Sequence, residues 1–257
     1  MNIPIRHRIN LAVLALFAMT FTVAPLVRST TIVAVSSGDQ IFIGADSLTD
    51  ISNATSRGHM CKITVCGSYA AAFAGLLGDI ATEFDVRSLV SAALATPGDL
   101  SAKSKEFENR AREPLRRSLE YGRRHEPETF SKRFLGKKVL QVVFAEVDKG
   151  KPSLIVLTFR VTETGELTVD KPKVVGQGQA YIFGENDAIA RYQTSEPNWA
   201  QADPATIVRT FLGLEIADKP SLVGAPISIL NISPVGVRWV AAGACSSGTV
   251  PNKASEP

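Results

Sequence analysis

The 257-residue sequence is poor in the residue types on which metal and thiol chemistry depend. It contains three histidines and three cysteines, and neither a His-Glu-x-x-His zinc motif nor a Cys-x-x-Cys pair occurs. A Gly-x-Ser-x-Gly nucleophile elbow and a phosphate-binding P-loop are also absent. The segment GQGQAY at 176–181 lacks the third glycine of a dinucleotide-binding fingerprint. These absences exclude several common catalytic machineries, and we expect no metal and no organic cofactor.

The three cysteines, Cys61, Cys66 and Cys245, form an odd set that is too small for a disulfide framework. If 62–66 is a strand, Cys61 and Cys66 point to opposite faces, because side chains alternate along a strand. We therefore expect no disulfide, and we interpret all three cysteines as small buried apolar residues.

Acidic residues are missing from the first 29 positions, which carry three arginines and account for the whole formal charge of +3. The remainder is close to neutral, so the overall charge does not indicate a nucleic-acid partner. A local surplus of six positive charges lies between residues 101 and 138, with twelve Lys or Arg against six Asp or Glu. It is either a basic surface for an acidic partner or a solvated helix face with pairs such as Glu106–Arg110 and Glu113–Arg117. The lack of an interleaved aromatic platform for bases favours the helix face.

The N-terminus is typical of a secretory signal peptide, 1–29. Positive residues precede an apolar run from Leu11 to Val23, and Val27 and Ser29 occupy the small-residue positions before a signal-peptidase cut. A cut after Ser29 would leave Thr30 first, in a secreted or periplasmic protein without a membrane attachment. The alternative is an uncleaved membrane anchor, since the run is at the short end of a spanning length. No later segment is long and apolar enough to span a membrane.

Long blocks of strands and of helices follow, instead of a regular alternation of the two. Periodicity predicts the following elements: strands near 30–35, 41–47, 61–66 and 70–74; helices over 77–84, 86–94 and 101–135; strands within 137–184; helices near 185–192 and 204–216; and a final hairpin over 226–243. This order favours an α+β class with antiparallel sheets covered by helices. We expect one domain over 30–242 and a disordered tail over 243–257.

The chemistry that remains is that of an N-terminal threonine nucleophile. A threonine hydroxyl needs a base, and a freed α-amine on the same residue can serve, since its pKa is about 7.7–8.0. Such an amine needs a nearby cation to favour its neutral form, and an anion to hold that cation. Lys62 and Asp46 are the candidates.

The spacing of these residues carries a family resemblance. The segment TTIVAVSSGDQIFIGADS resembles the start of proteasome β-type subunits and of the peptidase chain of the bacterial two-component ATP-dependent protease. In that family an N-terminal Thr, an Asp sixteen residues later and a Lys thirty-two residues later form the catalytic group. Thr30, Asp46 and Lys62 have both spacings, whereas counting from Thr31 misses both by one. The segment AFAGLLGD resembles the family's AGxxAD, whose glycine N–H supplies the oxyanion hole, and Gly75 is the matching position.

Later segments match more loosely. The segment DKPSLVG resembles the family's D-x-x-S-G-G turn, and the resemblance adds Asp218 and Ser221 to the catalytic group. Leu222 and Val223 replace the two glycines of that turn. The segment VGQGQAYIFG resembles a strand–helix turn, with Gln177 where the family has a serine.

The resemblance implies a four-layer αββα sandwich of antiparallel sheets, the N-terminal nucleophile hydrolase fold. It also implies removal of all residues before Thr30 and a threonine-type peptidase acting on peptide amide bonds. It places Thr49, Met60 and Phe73 around the first specificity pocket, where the bulk of Phe73 implies small or medium substrate side chains. A homo-oligomer is possible, but we expect no ATPase partner, because an exported chain meets no ATP.

Two alternatives stay open. One is an amidase of the same fold that acts on a small molecule or a cell-wall amide. The other is an inactive, membrane-anchored domain with an unprocessed N-terminus, in which Thr30 has no free amine.

Overall fold

The structure is a computed structural model that describes residues 27–28, 30–50, 57–176 and 178–245. The apolar part of the predicted signal peptide, Gln177 and the tail beyond Cys245 lie outside the described residues. Among the residues described, no helix is both long enough and apolar enough to cross a membrane.

Strands dominate the described chain. In chain order they are β1 (Val27–Arg28), β2 (Thr31–Ser37), β3 (Gln40–Ala45), β4 (Leu48–Asp50), β5 (Arg57–His59), β6 (Ile63–Cys66), β7 (Tyr69–Leu76), β8 (Gly78–Asp79), β9 (Phe84–Asp85), β10 (Lys138–Asp148), β11 (Lys151–Val161), β12 (Leu167–Val169), β13 (Lys173–Val175), β14 (Ala180–Gly184), β15 (Ser228–Ser233) and β16 (Gly236–Ala241). The helices are α1 (Val86–Ala95), α2 (Leu100–His125), α3 (Pro127–Phe134), α4 (Asp187–Ser195) and α5 (Pro204–Asp218), with short 3₁₀ turns at Ile80–Thr82 and Trp199–Gln201.

Two antiparallel sheets form the body of the protein. The larger sheet has the order β1-β7-β10-β11-β12, with β6 also paired to β7 and β13 also paired to β11. The smaller sheet has the order β14-β2-β3-β15-β16. The β4–β5 and β8–β9 pairs are separate small ribbons.

Side-chain alternation along the strands separates the apolar core into clusters. On β10, Val142 and Phe144 pack with the helices α1, α2 and α3, whereas Val143 and Ala145 pack with residues of the smaller sheet. A strand with apolar residues on both faces is buried on both sides, which explains its continuous apolar run.

The smaller sheet is also covered on both faces. Val33 and Val35 of β2 pack with Ile207 and Phe211 of α5, while the alternate residues of β2 face the larger sheet. The predicted α+β class with antiparallel sheets covered by helices is therefore confirmed.

One predicted helix is wrong. Residues 77–84 form β8, a 3₁₀ turn and β9, even though their apolar residues recur at helical spacing. The carboxylate of Asp79 accepts a hydrogen bond from Ala81 N at 3.0 Å, and Glu83 has a left-handed φ of 57°. This local side-chain bond offers the backbone an alternative to a helix. The α-helix begins only after Asp85, whose side chain caps it.

The charged segment forms two helices, because α2 ends before Pro127 and α3 begins there. Glu106 and Arg110 form the expected i,i+4 pair, with Nε 2.6 Å from Oε1. Glu113, however, pairs with Arg116 and not with Arg117 among the ion pairs of the described residues. One face of α2 thus carries exposed ion pairs, while its opposite face packs in the core.

The expectation of no disulfide is wrong. Cys61 and Cys245 are bonded across 184 residues of chain, with their Cα atoms 4.5 Å apart. Alternation along β6 excluded only the pairing of Cys61 with Cys66, and Cys66 is indeed a free thiol. The partner comes instead from the turn after β16, which no local pattern in the sequence predicts.

Candidate active site

A buried ion pair lies where the two sheets meet. Asp46 directly follows β3, Lys62 directly precedes β6, and both side chains are 0% exposed. Lys62 Nζ donates to Asp46 Oδ1 at 3.0 Å and to the carbonyl of Leu48 at 2.6 Å. Charges this deeply buried are tolerated only when they are paired and hydrogen-bonded.

Backbone donors complete the bonding of the Asp46 carboxylate. Oδ1 also accepts from Thr31 N at 3.0 Å, and Oδ2 accepts from Leu48 N at 3.1 Å and from Gly224 N at 3.2 Å. Because Thr31 N and Lys62 Nζ share one oxygen, their separation is at most twice that 3.0 Å distance. The ammonium group therefore lies beside the peptide unit that joins Thr30 to Thr31.

Burial perturbs both members of the pair. It raises the pKa of Asp46, against the Lys62 ammonium and the backbone donors, which lower it. It lowers the pKa of Lys62, against the Asp46 carboxylate, which raises it. In this dry position a positive charge on Lys62 acts strongly on neighbouring groups.

Thr30 is itself almost fully buried, at 1% exposure, and is held by the end of β14. Its carbonyl accepts a hydrogen bond from Glu185 N at 3.1 Å, and Thr31 Oγ1 donates to the Glu185 carbonyl at 2.9 Å. Gly184 has a φ of +86°, and a Cβ there would lie 1.5 Å from the Thr30 carbonyl oxygen. Only glycine allows this approach.

Gly184, Glu185 and Gly224 were not among the predicted site residues. Gly184 and Gly224 each close a segment that carries the looser resemblance, so the final glycine of each segment was the available signal. Their contacts join residues about 150 or more positions apart, and local pattern does not reveal such contacts.

Gly75 shares a cavity of about 580 Å³ with Thr30. It has a φ of +112°, and a Cβ at this position would lie 2.3 Å from the carbonyl oxygen of Val139. The predicted nucleophile and the predicted oxyanion-hole glycine therefore line the same cavity, with the Asp46–Lys62 pair buried behind it.

Two residues that precede Thr30, Val27 and Arg28, form a strand at the edge of the larger sheet. In β1, Val27 is paired with Leu76 and Arg28 with Gly75, antiparallel to β7. Thr31 already belongs to the smaller sheet, where it is paired with Gly184. The chain thus crosses from one sheet to the other at Thr30, next to Gly75.

Two predicted residues lie elsewhere. Asp218 is the last residue of α5, and its carboxylate binds Arg191 at 2.6 Å on the surface. Ser221 is exposed, and neither residue lines the cavity that contains Thr30. The turn to which they belong instead brings Leu222 to the cavity and Gly224 to Asp46.

The expected narrowing of the pocket by Phe73 is also wrong. Phe73 is 0% exposed and belongs to the apolar cluster between the larger sheet and the helices, with Met60 packed against that cluster. Phe73 does not line the cavity, so it does not limit the size of the substrate side chain there.

Within the part of the chain that the structure describes, no group of three or more His, Cys, Asp or Glu residues is arranged to hold a metal ion. No protein-family model matches this sequence, and no curated protein is similar to it.

Proposed function

We propose that the chain is a threonine-type N-terminal nucleophile hydrolase that cleaves peptide bonds once Thr30 is its first residue. The observation that carries this proposal is the buried Asp46–Lys62 pair, hydrogen-bonded to the backbone N–H of Thr31. It lies beside a threonine that shares its cavity with Gly75. These contacts support the proposed roles of Thr30 as nucleophile, Lys62 as tuning cation and Gly75 as oxyanion donor.

The packing of the two sheets supports a matching fold assignment. Helices α1–α3 cover the larger sheet, α4 and α5 cover the smaller one, and a third apolar cluster lies between the sheets. We assign this arrangement to the αββα sandwich of the N-terminal nucleophile hydrolases.

In the proposed reaction, Thr30 Oγ attacks the carbonyl carbon of the substrate amide. The Thr30 α-amine accepts the hydroxyl proton and passes it to the departing amine as the C–N bond breaks, which leaves an ester on Thr30. Water then attacks this ester. The same amine accepts a proton from the attacking water and passes it to Thr30 Oγ as the ester C–O bond breaks, which releases the acid product and restores the hydroxyl. The Gly75 N–H donates to the oxyanion in both steps.

The buried pair acts on that amine electrostatically. The Lys62 cation favours the neutral amine, since a second positive charge nearby is unfavourable. The Asp46 carboxylate holds Lys62 in place and also binds Thr31 N, so the positions of cation and nucleophile are coupled.

An extended peptide suits this site better than a small amide does. Val27 and Arg28 pair with β7 beside Gly75 and so occupy the position that the acyl side of a peptide substrate would take. Peptides often bind by adding a strand to an exposed sheet edge. The disulfide between Cys61 and Cys245 supports an exported location, because such bonds persist in oxidising compartments.

The test uses the full chain expressed in a secreting bacterial host. Intact-mass analysis should show a mature chain that starts at Thr30, and this chain should hydrolyse members of a peptide panel faster than small amides. The Thr30→Ala variant should lose this activity by orders of magnitude, whereas Thr31→Ser should keep it, because it retains the hydroxyl that donates to Glu185.

Loss of processing must be separated from loss of the nucleophile. In a second preparation, residue 30 directly follows a fusion partner that is then removed. Wild type and Thr30→Ala made in this way both start at residue 30. Equal peptide hydrolysis by these two proteins would overturn the mechanism.

A further inference from the structure

The cavity that contains Thr30 has a strongly positive rim. Four of its described lining residues are basic and lie at the end of α3, in the turn that follows, or at the start of β10: Lys132, Arg133, Lys137 and Lys138. The acidic residue among the lining residues described is Glu185, and its carboxylate contacts the ammonium of Lys219. The rim therefore carries a net positive charge next to the proposed nucleophile.

Three of these basic residues stabilise the C-terminal end of α3, which accounts for their presence in the cluster. Lys132 and Arg133 lie in the last turn of α3, where cations interact favourably with the helix dipole. Lys137 Nζ donates to the carbonyl of Lys132 at 2.5 Å, so this ammonium also terminates the helix.

Lys138 has no such explanation. It lies on β10 directly opposite Arg160 of β11, and like charges in that position destabilise a sheet. Arg160 has a partner in Asp170 at 3.4 Å. Among the ion pairs of the described residues, none involves Lys138 or Lys132, and both side chains are exposed.

We propose that the substrate is an acidic peptide, with a carboxylate side chain that binds Lys132 and Lys138 while its scissile carbonyl lies at Thr30 and Gly75. This inference rests on the proposed hydrolase function. The anion relieves the repulsion between Lys138 and Arg160, and the concave positive rim concentrates negative ligands near the nucleophile. On this proposal the basic residues between 101 and 138 have two roles. Those on α2 form a solvated helix face, and Lys132 and Lys138, beyond α2, bind the substrate.

The first experiment compares matched peptides that differ only by Glu or Gln near the scissile bond. Wild type should show a higher kcat/KM for the Glu peptide, by on the order of 10-fold, since two exposed charge pairs contribute modestly each. In Lys132→Gln/Lys138→Gln this preference for the Glu peptide should disappear, because both charges that bind its carboxylate are removed. The control Lys151→Gln/Lys171→Gln removes the same charge from residues outside the cavity lining and should keep the preference.

The second experiment measures binding without catalysis. The Thr30→Ala protein that starts at residue 30, from the fusion preparation described above, is titrated with the same two peptides. It should bind the Glu peptide several-fold more tightly at low salt, with the difference reduced at high salt. Selective binding without hydrolysis by wild type would contradict the proposed function and support the acidic ligand. Hydrolysis and binding that are equal for the two peptides would overturn the acidic preference and leave the proposed function intact.

Discussion

The Asp46–Lys62 pair and the ion pairs along α2 have the same chemistry in opposite surroundings. The first is 0% exposed and makes hydrogen bonds to the backbone at four further points. The second set is more exposed to water. In one of its pairs Arg116 is 46% exposed and Glu113 is 59% exposed, and in another Lys105 is 64% exposed although its partner Glu108 is 11% exposed. Both kinds join residues of opposite charge at about 3 Å, so distance alone does not show what a pair contributes.

The difference lies in what remains when one partner is removed. An exposed charge that loses its partner is solvated by water, whereas a buried one is left unpaired in a dry site. The buried pair therefore makes the site sensitive to single substitutions, and the helix face tolerates them.

Lys62→Met should destabilise the protein more than any other substitution discussed below. It leaves the Asp46 carboxylate buried without its cation, and we expect a loss of about 3–5 kcal/mol in the free energy of unfolding. Urea denaturation followed by circular dichroism measures it. Lys105→Met is the matched control on the exposed helix face and should change stability by less than about 1 kcal/mol. Similar losses in the two variants would show that burial is not the deciding factor.

The pH dependence of Lys62→Met sharpens the same point. Burial already raises the pKa of Asp46 above its ordinary 3.8, and removing the ammonium raises it further. When the pKa of a carboxyl group is higher in the folded state than in the unfolded state, the protein loses stability as the pH rises from the unfolded-state pKa toward the folded-state pKa. The destabilisation of Lys62→Met relative to wild type should therefore be smaller at pH 4 than at pH 7. A penalty that does not change with pH would contradict the raised pKa.

The disulfide ties the residue next to Lys62 to the end of the described chain. Cys61→Ser/Cys245→Ser should lower the free energy of unfolding by about 2–5 kcal/mol, since the bond closes a very long loop. Thermal melts with and without reductant measure this: reductant should lower the Tm of wild type and leave the variant unchanged. Cys66→Ser, which keeps the bond, should behave like wild type toward reductant.

Gly184→Ala should displace Thr30 from its position. The positive φ alone costs on the order of 1–3 kcal/mol for a residue with a Cβ, and the added carbon would overlap the Thr30 carbonyl. We expect reduced stability and loss of peptide hydrolysis together. The same substitution at Gly213, within α5 and with open space around it, should stabilise by up to about 1 kcal/mol and keep activity. An active Gly184→Ala protein would show that this close approach is dispensable.

The smallest change in stability is expected for a substitution on the exposed face of α2. Arg110→Ala removes an exposed i,i+4 pair with Glu106, and the free energy of unfolding should change by about 0.5 kcal/mol or less. A double-mutant cycle with Glu106→Gln measures the interaction. A coupling near that of the buried pair would remove the distinction between the two regions.

The sequence was most informative where residues close in the chain are also close in space. The apolar segments on either side of SSGDQ predicted the hairpin of β2 and β3. Asp46 and Lys62, which the family spacings group together, lie 3.0 Å apart.

Contacts between distant segments were not predictable in the same way. Gly184 and Gly224 reach the site from more than 150 residues away, and the bonding of Cys61 to Cys245 depends on where the turn after β16 lies. Asp218 shows the converse, because a matching motif did not bring its side chain to the cavity. The basic rim likewise depends on how α3 packs against the sheet, and charge counts alone do not reveal that.

The pairing of β1 with β7 links two events that would otherwise be independent. While Val27 and Arg28 remain attached, Thr30 has no free amine, and the strand edge beside Gly75 is already filled. On the proposed function, a single cut before Thr30 both creates the base and vacates the substrate position, so the chain cannot act on other proteins before it matures.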